Sequence, residues 1–590
     1  MTGQNPGTLM DGTVFTQSLV GSLRAADVAV VVAALALLGL IAWRSGRREL
    51  DTRDFFLGNR QVPAFIACLS FIATEVSAIT IVSVPATAFS ENWNYLQFFI
   101  GSAAARVFVA FLFLPVFFRH ECTSIYEFLR DRFNGRTQYA GSIFFFITRL
   151  IGSGVRLYAA CLAIGILLNL PLGWTLLLFT VVSIAFIAFG GIKAVVWTGA
   201  YSAGVFYLAA AAVGVYLLTR IPQAGELLAA IGAQALGLGQ GPPGELVKNV
   251  AGKLQIFNFS SDLNAPTSLW AGMANAFFVG LAVFGTDQEL VQRLLTVRTR
   301  GQSQKAILLT LVAVLPMLLL YLAMGTLLYI VYQVEPALAR PEQAKDVLPF
   351  FAANYLPQGL RGLVLAAVIL ASIDSPLSSL SSSFVTDIYR PLIRRQGSER
   401  HYLLVSRAGV VGFGLVLGLI AWSCQGVQNI LWFAFQIISV TGGATLGVFL
   451  LGILVRRRRA AGEWVCLAAL AAGAAALAAA LAPGASSAVA GCLARLSATP
   501  EVVRRWLAVL PWLAAATAAP VILALLAELR RPMQRSGWGN VLAMTLSSLL
   551  MLDLLLLSKY GGLSLAWSWL IVIGTIVTFC LAYVFLHDEP

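Results

Sequence analysis

Cys68–Pro85 reads CLSFIATEVSAITIVSVP. The run around it, near 62–89, is apolar and long enough to cross a bilayer as a helix, about 20 residues being sufficient. Yet Thr74, Glu75, Ser77 and Thr80 sit together in mid-run, with Pro85 behind them. A carboxylate at that depth is costly and has to face a bundle interior or a water-filled cavity. Polar, small-residue breaks at corresponding places in two halves of a chain mark the discontinuous helices of a transporter. A second stretch matches the first. GMANAFFVGLAVFGTDQELVQR, 272–293, carries Asn275, Gly280 and Gly285 along its length. Tight helix packing would also use Gly, Ser and Thr, but it does not need Glu75.

Composition sets the class. Of 590 residues, 59% are hydrophobic and 11% charged, with mean hydropathy +0.82; soluble proteins carry about a quarter charged. The recurrent apolar runs are twice the length of barrel strands and do not alternate. This predicts an all-α polytopic membrane protein with about fifteen spans. They lie near 26–43, 62–89, 94–118, 138–169, 171–190, 193–219, 268–293, 304–334, 359–389, 401–423, 427–455, 462–482, 505–528, 537–557 and 565–586. The first follows a polar leader with no small-residue cleavage site, so it reads as a retained span.

Most of the 40 Lys and Arg fall in connections that share one side, such as RSGRREL, RPLIRRQGSER and the four arginines 456–459. The positive-inside rule then puts the N-terminus outside and the C-terminus inside, in the cytoplasmic membrane. The net charge of +13 is thereby a matter of topology, and nucleic acid is not a predicted partner. The seven cysteines are scattered singly and form no CxxC pair, so neither zinc nor a disulfide framework is indicated. Three histidines at helix ends leave no material for a catalytic centre. No GxxxxGK[ST] loop is present, which excludes an ATP-driven pump in this chain. No cofactor, enzyme activity or obligate protein partner is expected.

The ten spans from 61 to 455 suit two inverted repeats of five helices, 61–220 and 268–455. They are preceded by 1–60, joined by the outside connection 221–267 and followed by accessory spans in 456–590. In that middle part the chain resembles the sodium/solute symporter family, nearer the iodide and monocarboxylate carriers and their bacterial relatives than the sugar carriers. The matching motifs, in the family's order, are DFFLGNR, SFIATEVSAIT, CTSIYEFLRDRFN, IGSGVRLYAA, GGIKAVVWT, FGTDQELVQRLL, SSFVTDIYRP and GGATLGVFLLGIL. The resemblance implies a LeuT-like fold with alternating access, and a sodium ion where the second span faces the ninth. By family position its ligands would be the carbonyls of Ala73, Val76 and Val368 and the hydroxyls at 371 and 372.

Here the sequence departs from the family. Residue 371 is Ala, leaving Ser372, and Gly199 and Ser202 stand in VVWTGAYS where the family commonly has Asp and often Gln. A second sodium site is thereby put in doubt. The ninth span, LASIDSPLSSLSSSF at 370–384, holds seven serines and one carboxylate. Asp374, with Ser375, could bind an ion, carry a proton or pair with a cation. Pro376 lacks an N–H and would free the carbonyl of Ser372.

Arg149 and Arg156 lie within the fourth span and must find partners inside the bundle. Arg156 is at a depth that suits a pair with Glu75, or both would contact the solute. Asp287, Gln288 and Arg293 read as contacts of an inner gate, and Asp387 as a helix end before Pro391. Candidate solute contacts are Glu75, Thr80, Gln97, Arg156, Phe278 and Gln436, the polar or aromatic groups near the breaks. The function expected is a secondary transporter, coupled to sodium, that imports a small polar or anionic organic solute. Proton coupling on the same fold, or a membrane sensor, are the alternatives.

Overall fold

A computed structural model describes residues 23–46, 57–188, 192–238, 244–262, 265–373, 376–425, 430–455, 465–470, 537–560 and 565–586. The spans near 462–482 and 505–528 fall largely outside these, as do Asp374 and Ser375. The described chain is almost wholly helical, with ten helices long and apolar enough to span a membrane and two further spans that are broken.

After α1 (Ala25–Gly46) the second span divides into α2 (Ala64–Glu75) and α3 (Ala78–Ser90). Then come α4 (Asn94–Arg119), the short α5 (Tyr126–Arg132), the long α6 (Gly135–Leu168), α7 (Leu172–Ala188) and α8 (Ile192–Thr219). The connection that follows forms α9 (Ala224–Ala235) and α10 (Glu245–Lys253). The second set of five opens with the broken pair α11 (Leu269–Gly285) and α12 (Gln288–Leu295). It continues through α13 (Arg300–Val334), the connecting α14 (Val347–Tyr355), α15 (Leu360–Ile373) with α16 (Leu377–Ser383), α17 (Glu399–Ser423) and α18 (Ile430–Leu454). Beyond it lie α19 (Gly539–Tyr560) and α20 (Leu570–Val584).

Both breaks have local causes. At the first, Val76 leaves the helical region (φ −82°, ψ 84°) and Ser77 is extended at the start of α3. Val76 is β-branched and gives up little helix there, and Ser77 stands at the first cap without a side-chain hydrogen bond to the amides of α3. The axis turns by 61°. At the second, Asp287 caps α12, its carboxylate accepting from the Glu289 amide at 2.9 Å, and the axis turns by 59°. Asn275 and Gly280 lie within the unbroken α11, and the break falls at its end, beside Gly285.

Close packing holds the broken spans against their neighbours. Gly325 of α13 lies on the backbone of Pro85, where an added Cβ would come within 2.2 Å of the carbonyl oxygen; only glycine allows that approach. At the other end of the chain, α20 packs on α18 across Gly443 and Gly447. The first helix is pinned by charge. Fully buried Asp27 accepts from Arg361 Nη2 at 2.5 Å and from the amides of Gly359 and Gly362 at 2.8 and 3.0 Å.

Candidate functional site

The first break opens onto a cavity of about 220 Å³, walled by α2, α3, α4, α6, α11, α12, α13 and α18. Glu75, Val76, Thr80 and Arg156 line it. The expected Glu75–Arg156 pair is corrected by the structure: the partner of Glu75 is Arg106 of α4. Arg106 Nη2 reaches both carboxylate oxygens at 2.5 Å. Its other nitrogens donate to Thr310 Oγ1 at 3.0 Å and Ser102 Oγ at 2.5 Å, and the guanidinium lies 4.4 Å from the centre of the Phe284 ring. This fully buried cation has a countercharge, neutral acceptors and an aromatic face, which is what a low-dielectric site demands. Arg156 Nη1 instead donates to the Thr74 carbonyl at 3.4 Å, beside the unwound segment.

The second break is clamped. Arg149 of α6 pairs with Asp287 and, at 2.8 Å, with Glu289. Arg293 continues the cluster, donating to the Glu289 carbonyl at 3.0 Å and to Ser70 Oγ on α2 at 3.1 Å. Arg149 and Asp287 also line the cavity, so this network forms part of its wall. Gln288 lies just outside it, joining the loop before α5: its Oε1 accepts from the Ile125 amide and its Nε2 donates to the Thr123 carbonyl.

Three of the expected solute contacts stand elsewhere. Gln97 is fully buried but spent on the connection before α11, donating to Thr267 O at 2.5 Å and accepting from Asn258 N at 3.3 Å. On α11 the cavity takes Ala276, Val279, Gly280 and Val283; Phe278, two residues round from Ala276, packs against Phe277. On α18 it takes Ala434, Phe435 and Ile438, and Gln436 is turned off that face. At 100° per residue, a neighbour two positions along points away.

Behind Tyr95, Phe98 and Phe435 in the cavity wall stands an aromatic layer. Trp432 packs on Tyr95 and Phe98. Trp567, just before α20, packs on Trp432 and Phe435 with ring centres 5.7 and 6.0 Å apart. The neighbouring Ser568 carbonyl accepts from Asn275 Nδ2 of α11 at 2.8 Å. The accessory helices thus reach the site.

A smaller cavity of about 30 Å³ lies where α2 faces the ninth span. Ala73, Ser372 and Pro376 line it, together with Ala371, which offers no hydroxyl. Ser372 Oγ donates to Ile369 O at 2.7 Å and Val368 O at 3.2 Å, which leaves its lone pairs free to face a cation. Buried Val368 lies within α15, Val76 at the end of α2, and Pro376 at the first cap of α16. Gly199, where the family's carboxylate is missing, packs closely on α2: a Cβ there would stand 2.7 Å from Ser70 Oγ, which would have to shift. Asp387 is a buried clasp and not a free helix end. It accepts from Ser124 Oγ at 2.8 Å and from Gln138 Nε2 and Ser142 Oγ at 3.1 Å, tying the ninth span to α5 and α6.

Two broken helices around one cavity lined by apolar side chains and a few charged ones, each opening a set of five spans, define a secondary transporter of the LeuT-like inverted-repeat class. The comparisons are specific. The sodium:solute symporter family model matches residues 55–470, and the chain belongs to that family. It is 26% identical to the sodium/sialic acid symporter SiaT of Proteus mirabilis over 74% of this chain and 86% of that one. It is likewise 26% identical to the human sodium-coupled monocarboxylate transporter 1, over 74% and 69%. A substrate-bound, outward-open structure of a Na+-coupled sialic acid symporter superposes with a TM-score of 0.67 at 21% identity, covering 95% of this chain and 97% of that one.

Proposed function

We propose that this protein is a sodium-coupled symporter that imports a small organic anion, with Arg156 holding the solute's carboxylate. The observation that carries the reading is the place of Arg156 in the wall of the main cavity, at the unwound turn. Glu75 is engaged by Arg106, and Arg149 by Asp287 and Glu289. Arg156 lines the cavity beside the unwound turn, and a planar guanidinium suits a carboxylate in two-point contact. The first turn of α3 adds amides and a positive helix end at the same place, since Ser77, Ile79 and Thr80 are in the wall. The oppositely directed end of α2 offers carbonyls to a cation. One broken helix thereby provides for both an anion and a sodium ion.

The ion site supported is that of Ala73, Val76, Val368 and Ser372 against the ninth span, with Asp374 and Ser375 as further candidates outside the described residues. Orientation with the N-terminus outside rests on the distribution of Lys and Arg. The two repeats correspond to 61–220 and 268–455. Relatives named for sialic acid and for monocarboxylates support a carboxylate as the first class to test.

The test is uptake of radiolabelled carboxylates into proteoliposomes, with an inward sodium gradient or with potassium in its place. Accumulation that needs sodium and disappears in Arg156→Gln is expected. Sodium-independent accumulation driven by a pH gradient would overturn the coupling. Preference for a neutral or cationic solute would overturn the role of Arg156.

A further inference from the structure

The last carbonyls of a helix have no partner within it and carry its negative end. A lysine or arginine in the helix's own last turn often meets that need. Helix α3 has no basic residue there. It takes one from the connection between the two sets of five spans, 164 positions along the chain from Phe89. Lys253, the last residue of α10, donates from Nζ to Phe89 O at 2.8 Å and to Glu91 O at 3.3 Å. The ammonium also lies 4.4 Å from the centre of the Tyr329 ring of α13, a cation–π contact. The Trp93 amide returns a bond to the Lys253 carbonyl at 3.0 Å.

This end of α3 is seated on α13 as well. The Phe89 ring stands edge-on to Tyr329 and Tyr332, with centres 6.0 and 5.9 Å apart, and Trp93 Nε1 donates to Thr326 Oγ1 at 2.9 Å. The same connection holds the start of α4 through Gln97 and runs into α11, where the Leu269 amide donates to Asn258 O at 2.7 Å. Four helices that wall the main cavity, α3, α4, α11 and α13, are thereby gathered at one segment.

We propose that Lys253 is a positioning residue for transport, a latch on the far end of α3 that fixes the first turn of that helix in the cavity wall. Val76 and Ser77 leave the helical path at the break, so the direction of α3 is set by what holds its other end. Its 13 residues carry a displacement there to the cavity, about 20 Å away at about 1.5 Å per residue. With the latch gone, α3 pivots at the break, and apparent affinity falls by the fraction of molecules still competent to bind. The inference rests on the reading of the first break as the binding region.

The test compares purified full-length wild type with Lys253→Met, which keeps the chain over Tyr329 and removes the charge, and Lys253→Arg, which keeps a charge. Hydrogen exchange of the amides of 87–93 should be several-fold faster in Lys253→Met and near wild type in Lys253→Arg. The sodium concentration that gives half of the sodium-induced rise in melting temperature, with potassium as the replacement ion, should increase about fivefold in Lys253→Met. The melting temperature without sodium should change little. Unchanged half-saturation overturns the positioning role, and a lower melting temperature beside it would make Lys253 ordinary packing. Lys253→Arg behaving like Lys253→Met would overturn the part given to the charge. If sodium moves the melting temperature of neither protein, the reading of the first break fails, and exchange at 87–93 alone decides for or against the latch.

Discussion

The two broken helices bend by nearly the same angle, 61° and 59°, and do opposite things with their charge. At the first break the carboxylate of Glu75 is held from the side by Arg106, fixed in turn by Thr310, Ser102 and Phe284. The unwound turn itself stays open to the cavity, with Arg156 beside it. At the second break the capping residue Asp287 is bound by Arg149, and Glu289 and Arg293 complete a buried cluster that reaches Ser70 on α2. The same backbone device leaves its turn open to the cavity in one half and tied into a buried ion cluster in the other, and the arginines on neighbouring helices make the difference.

The largest effect tests the support of the open break. Glu75→Gln leaves Arg106 buried without its countercharge, at a cost of about 3–5 kcal/mol. A melt in detergent should register a large loss, and Glu75→Gln with Arg106→Met should recover most of it. If the single variant melts like wild type, the pair does not support the turn. Next comes recognition: Arg156→Gln should lower solute affinity by roughly 100-fold, the worth of a charged two-point contact of about 3 kcal/mol, with little change in melting. Equal binding by isothermal titration would remove Arg156 from the solute site.

At the clamped break, Asp287→Asn leaves Glu289 to hold Arg149, so the expected stability loss is smaller, about 1–2 kcal/mol. Solute efflux from loaded proteoliposomes should instead rise several-fold, because the clamp is loosened. Unchanged efflux would mean that the second break is rigid scaffold. The smallest effect belongs to the ion site. Ala371→Ser supplies a hydroxyl next to Ser372 and should lower the sodium concentration for half-maximal uptake about fivefold, for roughly 1 kcal/mol.

How far the sequence speaks can be judged at these same residues. Glu75 in an apolar run disclosed the first break, because no packing role explains a carboxylate there. The second is marked by Gly285, while Asn275 and Gly280 stay helical; the turn forms at Thr286–Asp287, where an aspartate caps the next helix. Gln97, Phe278 and Gln436 have the chemistry and depth of solute contacts. Their helices face the cavity with other residues, and the rotation of a helix that is apolar all round is not written in its own sequence. Arg106 could have been found. It is a lone cation in GSAAARVFVAFLF, and the rule that singled out Arg149 and Arg156 applies to it equally.

Trp567 and Ser568 have a mechanical consequence. Alternating access requires some helices to rock against others, and the moving body is usually drawn at the limits of the repeats. Here α20 is seated on α18 through Gly443 and Gly447, Trp567 leans on Trp432 and Phe435, and Ser568 is tied to Asn275 of α11. A helix that lies outside the repeats is therefore fastened to both α18 and α11. Whatever travels with α18 travels with more mass and more lipid-facing surface than ten helices account for. The thickness and stiffness of the surrounding bilayer then become part of the load that the transport cycle has to move.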